Sequence, residues 1–248
     1  MSKLKNISEY ENQHIENTDN WYKYENEILE YKDIFFDNLI LELVRPFPLN
    51  IMDSQFMPNQ NDIYSNRNAF RGHGGTLSLD NYPSSLKNLN TWNDILQEFN
   101  PSKILETGTN SCIFGFLCYK FLENFELTTL DLEPNSKIFV DKVNEYFNDN
   151  KIIFYEINTN ENIEHWKTEK EFDFAFLDSG HDFHTISAEL NFCGNKKIPT
   201  IVCDDTNLEE VNSAINLFLT NNNYTLYREV KGIDGSSMGY LKILKYNG

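Results

Sequence analysis

From residue 101 onward the chain alternates short apolar runs with longer helical patterns, and this alternation limits the available folds more than any other feature. Lys103–Thr107, Phe125–Leu130, Ile152–Ile157, Phe172–Leu177 and Thr200–Cys203 are of strand length and rich in branched and aromatic residues. Helical segments lie between them. The first opens at Ser111, which can cap it, and carries Ile113, Phe114, Phe116, Leu117 and Phe121. The others are Pro134–Phe147, a short Ile163–Lys167 after a loop at Asn158–Asn160, Phe183–Phe192 and Leu208–Leu219. A helical crossover returns the chain parallel to its previous strand, so these units predict a parallel sheet with helices on its faces. The tail differs: Tyr224–Val230 and Met238–Leu244 flank the turn-rich KGIDGSS and predict a hairpin, which brings in an antiparallel strand. The expectation is an α/β fold with a seven-stranded, mostly parallel sheet and a C-terminal antiparallel hairpin.

The preceding residues read differently. Met1 to about Asn20 is polar. Tyr24, Ile28, Tyr31, Phe35, Leu39 and Leu43 recur at helical spacing over Trp21–Val44, and Arg45–Pro46 ends that pattern. Residues 46–83 are punctuated by Pro, Asn, Asp and Gly and read as irregular. Within them RNAFRGHGG gathers two arginines and a histidine. Arg71 and His73 there are candidates to hold an anionic or hydroxylated ligand; a solvated surface loop is the alternative. Ser84–Phe99 reads as a helix that covers the sheet before its first strand. The chain thus divides into a helical and irregular N-terminal cap, 1–83, and a sheet domain, 84–248.

Composition excludes some functions. The 248 residues carry a formal net charge of −17 with no Lys/Arg-rich block, which argues against nucleic acid as the main partner. Cys112, Cys118, Cys193 and Cys203 lie in apolar segments without C-x-x-C spacing and are expected to be buried thiols in a reducing cytoplasm. The opening MSKLKNISEY lacks the apolar centre of a secretory signal, and no run reaches transmembrane length, so no membrane partner is expected.

The stretch PSKILETGTNSCIFG, Pro101–Gly115, is a strand, a glycine-bearing turn and a helix start, the arrangement that seats nucleotide cofactors. Gly108 lets the backbone approach a ligand, and Thr109 and Asn110 complete the turn. Glu106 at the strand end would repel a pyrophosphate but attract a cation such as the sulfonium or ammonium of S-adenosylmethionine. ILETGTNS resembles the first motif of class I S-adenosylmethionine-dependent methyltransferases, whose sheet is Rossmann-like. It departs from the motif at Asn110, where a second glycine is usual, although Asn tolerates a left-handed backbone.

Ligands of open parallel sheets bind at the carboxyl ends of the strands. Here those ends carry Glu106, Asp131, Asp178 and Asp204–Asp205. Asp131 follows the first turn by about two dozen residues, the spacing at which a carboxylate meets ribose hydroxyls, or else it starts the next helix. Glu133 is a second candidate, and the family resemblance also implies an adenine contact at Asn158. Asp178, Asp204 and Asp205 offer hard oxygen donors that suit Mg²⁺, or they merely cap helices. LDSGH and CDDT resemble the metal-dependent O-methyltransferases of the macrocin and mycinamicin sugar type. That resemblance implies Asp178, Asp204 and Asp205 as ligands of a divalent cation and His181 as general base.

The expected function is O-methylation of a small molecule, sugar or natural product, with S-adenosylmethionine as methyl donor and a divalent cation. The cap would form the substrate wall, and homo-oligomers are compatible with everything above. Two alternatives stay open: a metal-independent N-methyltransferase, and a Rossmann-like binding protein without turnover.

Overall fold

In this computed structural model the described residues are 69–70, 77–78, 82–109, 112–134, 136–231 and 240–248. The helix expected over 21–44, Arg71 and His73, Asn110, Ser111 and most of the KGIDGSS turn lie outside them. The chain divides into two units, Met1–Asn93 and Asp94–Gly248. In the first, β1 (Ala69–Phe70) and β2 (Leu77–Ser78) pair antiparallel. Residues 46–83 were expected to be irregular, and a two-residue ladder is too short to leave an alternating signal.

Helix α1 (Tyr82–Phe99) begins slightly before the predicted Ser84, with Pro83 in the first turn, where its missing N–H costs no helical bond. In the second unit its last residues bury Ile95 and Leu96, and the Phe99 ring lies 6.1 Å from Phe174. The sheet follows: β3 (Lys103–Thr107), β4 (Glu126–Asp131), β5 (Ile152–Glu156), β6 (Phe174–Leu177), β7 (Thr200–Cys203), β8 (Tyr224–Val230) and β9 (Leu241–Tyr246). Their order is β5-β4-β3-β6-β7-β9-β8, with β3 to β7 parallel and β9 antiparallel to both β7 and β8. This is the mostly parallel, seven-stranded sheet with a C-terminal hairpin that the alternation predicts. Strand β9 starts later than the expected Met238, because its ladder with β7 runs from Lys242 opposite Cys203 to Lys245 opposite Thr200.

Strands β4 and β5 extend from β3 toward one edge, and β6 and β7 lie on its other side. The order therefore reverses between β3 and β6, the switch point at whose carboxyl ends open α/β sheets bind their ligands. Side chains alternate across the pleat, so Ile104 and Glu106 face one way and Leu105 and Thr107 the other. Helix α2 (Ile113–Phe121) covers the first face, where Phe114 lies 4.7 Å from Phe176 between ring centres. Helix α3 (Ser136–Phe147) contacts α2 and β5. On the second face Leu105, Leu177 and Ile201 pack with Ile186 and Leu190 of α5 (Phe183–Lys196) and Val211 and Ile215 of α6 (Glu209–Asn221).

Two local expectations change. Residues 158–160 are not simply a loop: the Asn158 carbonyl accepts from the N–H groups of Glu161 and Asn162, which starts α4 (Thr159–Asn162). A 3₁₀ turn, Ile163–His165, follows it in place of the expected helix over 163–167. Helix α2 starts at Ile113 behind Cys112, which takes a left-handed φ of 59° and makes no side-chain cap. All four cysteine thiols are buried and unpaired. Among the described residues no helix is long and apolar enough to cross a membrane.

Candidate active site

The turn after β3 is built around Gly108, whose φ is +84°. A Cβ there would lie 2.1 Å from the carbonyl oxygen of Asp178 and 2.9 Å from the Cα of Ser179. The glycine expected to admit a ligand is thus also required by the chain itself, because the turns after β3 and β6 meet backbone to backbone. The Gly108 N–H donates to Leu130 O at 2.8 Å and ties the same turn to β4.

Glu106 is buried beside this turn. Its Oε2 accepts from the Thr129 hydroxyl at 2.6 Å, and the Thr109 hydroxyl lies 2.6 Å from that of Thr129. A threonine hydroxyl has one hydrogen, so with Thr129 donating to Glu106, Thr109 must donate to Thr129. Burial pushes the Glu106 carboxyl up from its ordinary 4.5 to about 8; the Thr129 bond opposes the rise and the Asp131 charge adds to it. A cation placed here would restore the charged form.

Asp131 ends β4 half-buried. Its Oδ1 accepts from the Glu133 N–H at 2.8 Å and its Oδ2 from the Ser136 hydroxyl at 3.0 Å. These bonds lead the chain into α3, the helix-starting role weighed against ribose binding. Glu133 is exposed, and the half-buried Asn158 makes no side-chain cap.

The turns after β6 and β7 bring the other expected residues to one place. His181 Nδ1 lies 2.7 Å from Asp205 Oδ2, and the histidine side chain is 37% exposed, so a ligand can reach it. The Asp205 hydrogen bond raises the His181 pKa above the ordinary 6.5, burial opposes that, and the charges of Asp205, Asp204 and Glu189 add to it. Asp205 has a left-handed φ of 51°, and its N–H donates to Asp204 Oδ1 at 2.7 Å. Asp178 is buried; burial holds its pKa well above the carboxylate range, and Asp204, Asp205, Glu106 and Glu189 raise it further. Asp178, Asp204 and Asp205 are therefore near enough to repel one another. Among the described residues, however, no group of three or more His, Cys, Asp or Glu side chains converges as a metal site. Asp182, not Asp178, caps α5: its Oδ1 accepts from the His184 and Thr185 N–H groups at 3.0 Å each.

Two buried charged residues were missed from sequence. Glu189 in α5 is fully buried and accepts a hydrogen bond from the Ser179 hydroxyl. Burial lifts its pKa from 4.5 to about 7 against the Ser179, Thr159 and Thr107 hydroxyls. Its signal was present, since it lies among Ile186, Leu190 and Cys193 on the apolar stripe of its helix. Lys242 on β9 is buried opposite Cys203, one residue before Asp204, and donates to Asn212 Oδ1. No local pattern marks it, because its place depends on the register of β9 with β7.

No family model matches this chain, and no curated protein does. Solved structures do. The S-adenosylhomocysteine-bound methyltransferase PaMTH1 of Podospora anserina superposes with a TM-score of 0.53 at 12% identity, covering 84% of this chain and 88% of its own. The O-methyltransferase TomG of Streptomyces achromogenes, involved in tomaymycin synthesis and in complex with S-adenosylmethionine, gives 0.53 at 12% identity over 66% of this chain and 81% of its own. The N-methyltransferase NodS of Bradyrhizobium japonicum, in complex with S-adenosylhomocysteine, gives 0.52 at 14% over 68% and 91%. At these identities the likeness establishes the fold, the Rossmann-like sheet of S-adenosylmethionine-dependent methyltransferases.

Proposed function

We propose that this protein is an S-adenosylmethionine-dependent O-methyltransferase acting on a hydroxyl of a small molecule or saccharide. One observation carries the reading: the close approach of Gly108 to the Asp178 carbonyl, which sets the Glu106 turn directly against the turn leading to His181. A cation-attracting carboxylate and an accessible base thereby belong to adjoining turns at the sheet's switch point.

The residues fit such a cofactor. When bound, it supplies an electrophilic methyl on a sulfonium. Glu106 offers its buried charge to the cationic end, and Asp131, half-buried at the end of β4, would accept from the ribose hydroxyls. His181 would take the proton of the acceptor hydroxyl as its oxygen accepts the methyl and the sulfonium's S–C bond breaks to leave a neutral thioether. Because Nδ1 faces Asp205, Nε2 is the accepting atom, and Asp205 orients the ring and stabilises the imidazolium. Holding donor and acceptor at attack distance supplies much of the remaining acceleration.

A divalent cation is the finer part of the expectation. Asp178, Asp204 and Asp205 have the right donor chemistry, but Asp205 Oδ2 is engaged with His181 and the three do not converge. As arranged they do not fit a cation, and the scheme routes no step through one. An amine acceptor is the second reading, favoured by the same carboxylates, which would attract a protonated amine.

Calorimetry with S-adenosylhomocysteine and NAD tests the cofactor: the first should bind at micromolar affinity and the second should not. NAD binding without S-adenosylhomocysteine binding would refute the proposal. Turnover that survives EDTA keeps the metal-free scheme, whereas loss in EDTA and recovery with Mg²⁺ would mean that Asp205 leaves His181 to join Asp178 and Asp204.

A further inference from the structure

We infer that Glu189 is a positioning residue for the proposed site: from beneath, it holds the turns after β3, β5 and β6 in register through a cluster of hydroxyls. The inference rests on the methyltransferase reading of that site.

Glu189 belongs to the buried face of α5, where Ile186, Leu190 and Cys193 pack into the core. A leucine of similar volume would fill such a place without the cost of burying an acid. What the carboxylate adds is hydrogen bonding. Ser179 donates to its Oε1, and the Thr159 hydroxyl lies 3.0 Å from that of Ser179. The Thr159 hydroxyl has one hydrogen, which goes either to Ser179 or to Glu189 itself, and both choices tie Thr159 to the carboxylate. The Thr107 hydroxyl also acts on Glu189 and accepts from the Asp178 N–H at 3.3 Å.

Each of these hydroxyls borders a residue assigned to the site. Thr107 precedes Gly108, Thr159 follows Asn158, and Ser179 stands between Asp178 and His181. One carboxylate thus links three strand ends that are far apart in sequence. Glu189 is fully buried, so it acts through these neighbours and does not touch a ligand. Its other oxygen, Oε2, is buried without a hydrogen bond among the described residues, which makes the arrangement costly for stability alone. Positioning groups often carry such a cost, because function and stability select different residues.

The full chain carrying Glu189→Leu, Glu189→Gln or Ser179→Ala tests this, read by thermal midpoint and by calorimetry with S-adenosylhomocysteine. Glu189→Leu should melt at or above the wild-type midpoint yet bind about tenfold more weakly, the worth of a lost hydrogen bond. Glu189→Gln keeps an acceptor for Ser179 and should restore affinity to within about threefold of wild type. Ser179→Ala removes only the link and should weaken binding as much as Glu189→Leu does, while lowering the midpoint because the buried carboxyl loses its donor, which keeps the test decisive if the leucine variant does not fold. A leucine or Ser179→Ala variant that binds like wild type overturns the inference. So does a glutamine variant as weak as leucine, because hydrogen bonding would then not be the cause. A wild-type protein that does not bind S-adenosylhomocysteine overturns the methyltransferase reading itself, and the inference with it.

Discussion

Replacing Glu106 by glutamine should make the ligand-free protein more stable, by an amount that depends on pH. The carboxyl ionises near 4.5 when unfolded and near 8 when folded. The folded state therefore binds the proton that the unfolded state releases between those values, and stability is lost as pH rises through that window. From the two pKa values the loss due to Glu106 is under about 1 kcal/mol at pH 5 and about 3 kcal/mol at pH 7. Glutamine keeps the shape and an oxygen for the Thr129 hydroxyl but has no proton to lose. Its stability gain over wild type should therefore grow from under about 1 to about 3 kcal/mol between pH 5 and 7. Asp178 and Glu189, also raised by burial, are present in both proteins and largely cancel. Urea unfolding at the two pH values measures the difference. A gain equal at both, or a glutamine variant less stable at pH 7, would refute the claim that the buried charge is penalised. The same substitution should weaken a cationic cofactor, so stability and binding should move in opposite directions.

Two further outcomes follow from the same geometry. Gly108→Ala places a Cβ against the Asp178 carbonyl at a φ of +84°, and should cost more than about 2 kcal/mol in chemical unfolding and weaken S-adenosylhomocysteine binding. His181→Ala should keep cofactor affinity and lose about two to four orders of magnitude in kcat; since Asp205 raises the His181 pKa, the wild-type rate should climb as pH rises past 6.5, and a pH-independent rate would remove the assigned base.

Sequence alone determined the alternation of strands and helices over residues 101–248 and the rim of the sheet. Lys103–Thr107, Thr200–Cys203 and Tyr224–Val230 occupy the predicted spans, because strand and helix signals are local periodicities. Parallel strands place every carboxyl end at one edge, so the acids closing those runs could be named without coordinates. The contacts among them belong to the tertiary structure alone. Gly108 meets Asp178, His181 meets Asp205 and Ser179 meets Glu189 only because the order β4-β3-β6-β7 makes neighbours of distant turns. Burial is likewise a property of the packed whole. Glu106 and Glu189 are ordinary carboxylates as letters in a sequence, and the surrounding core is what withdraws water from them and raises their pKa values. The same packing turns Asp205 toward His181, with one carboxylate oxygen 2.7 Å from an imidazole nitrogen.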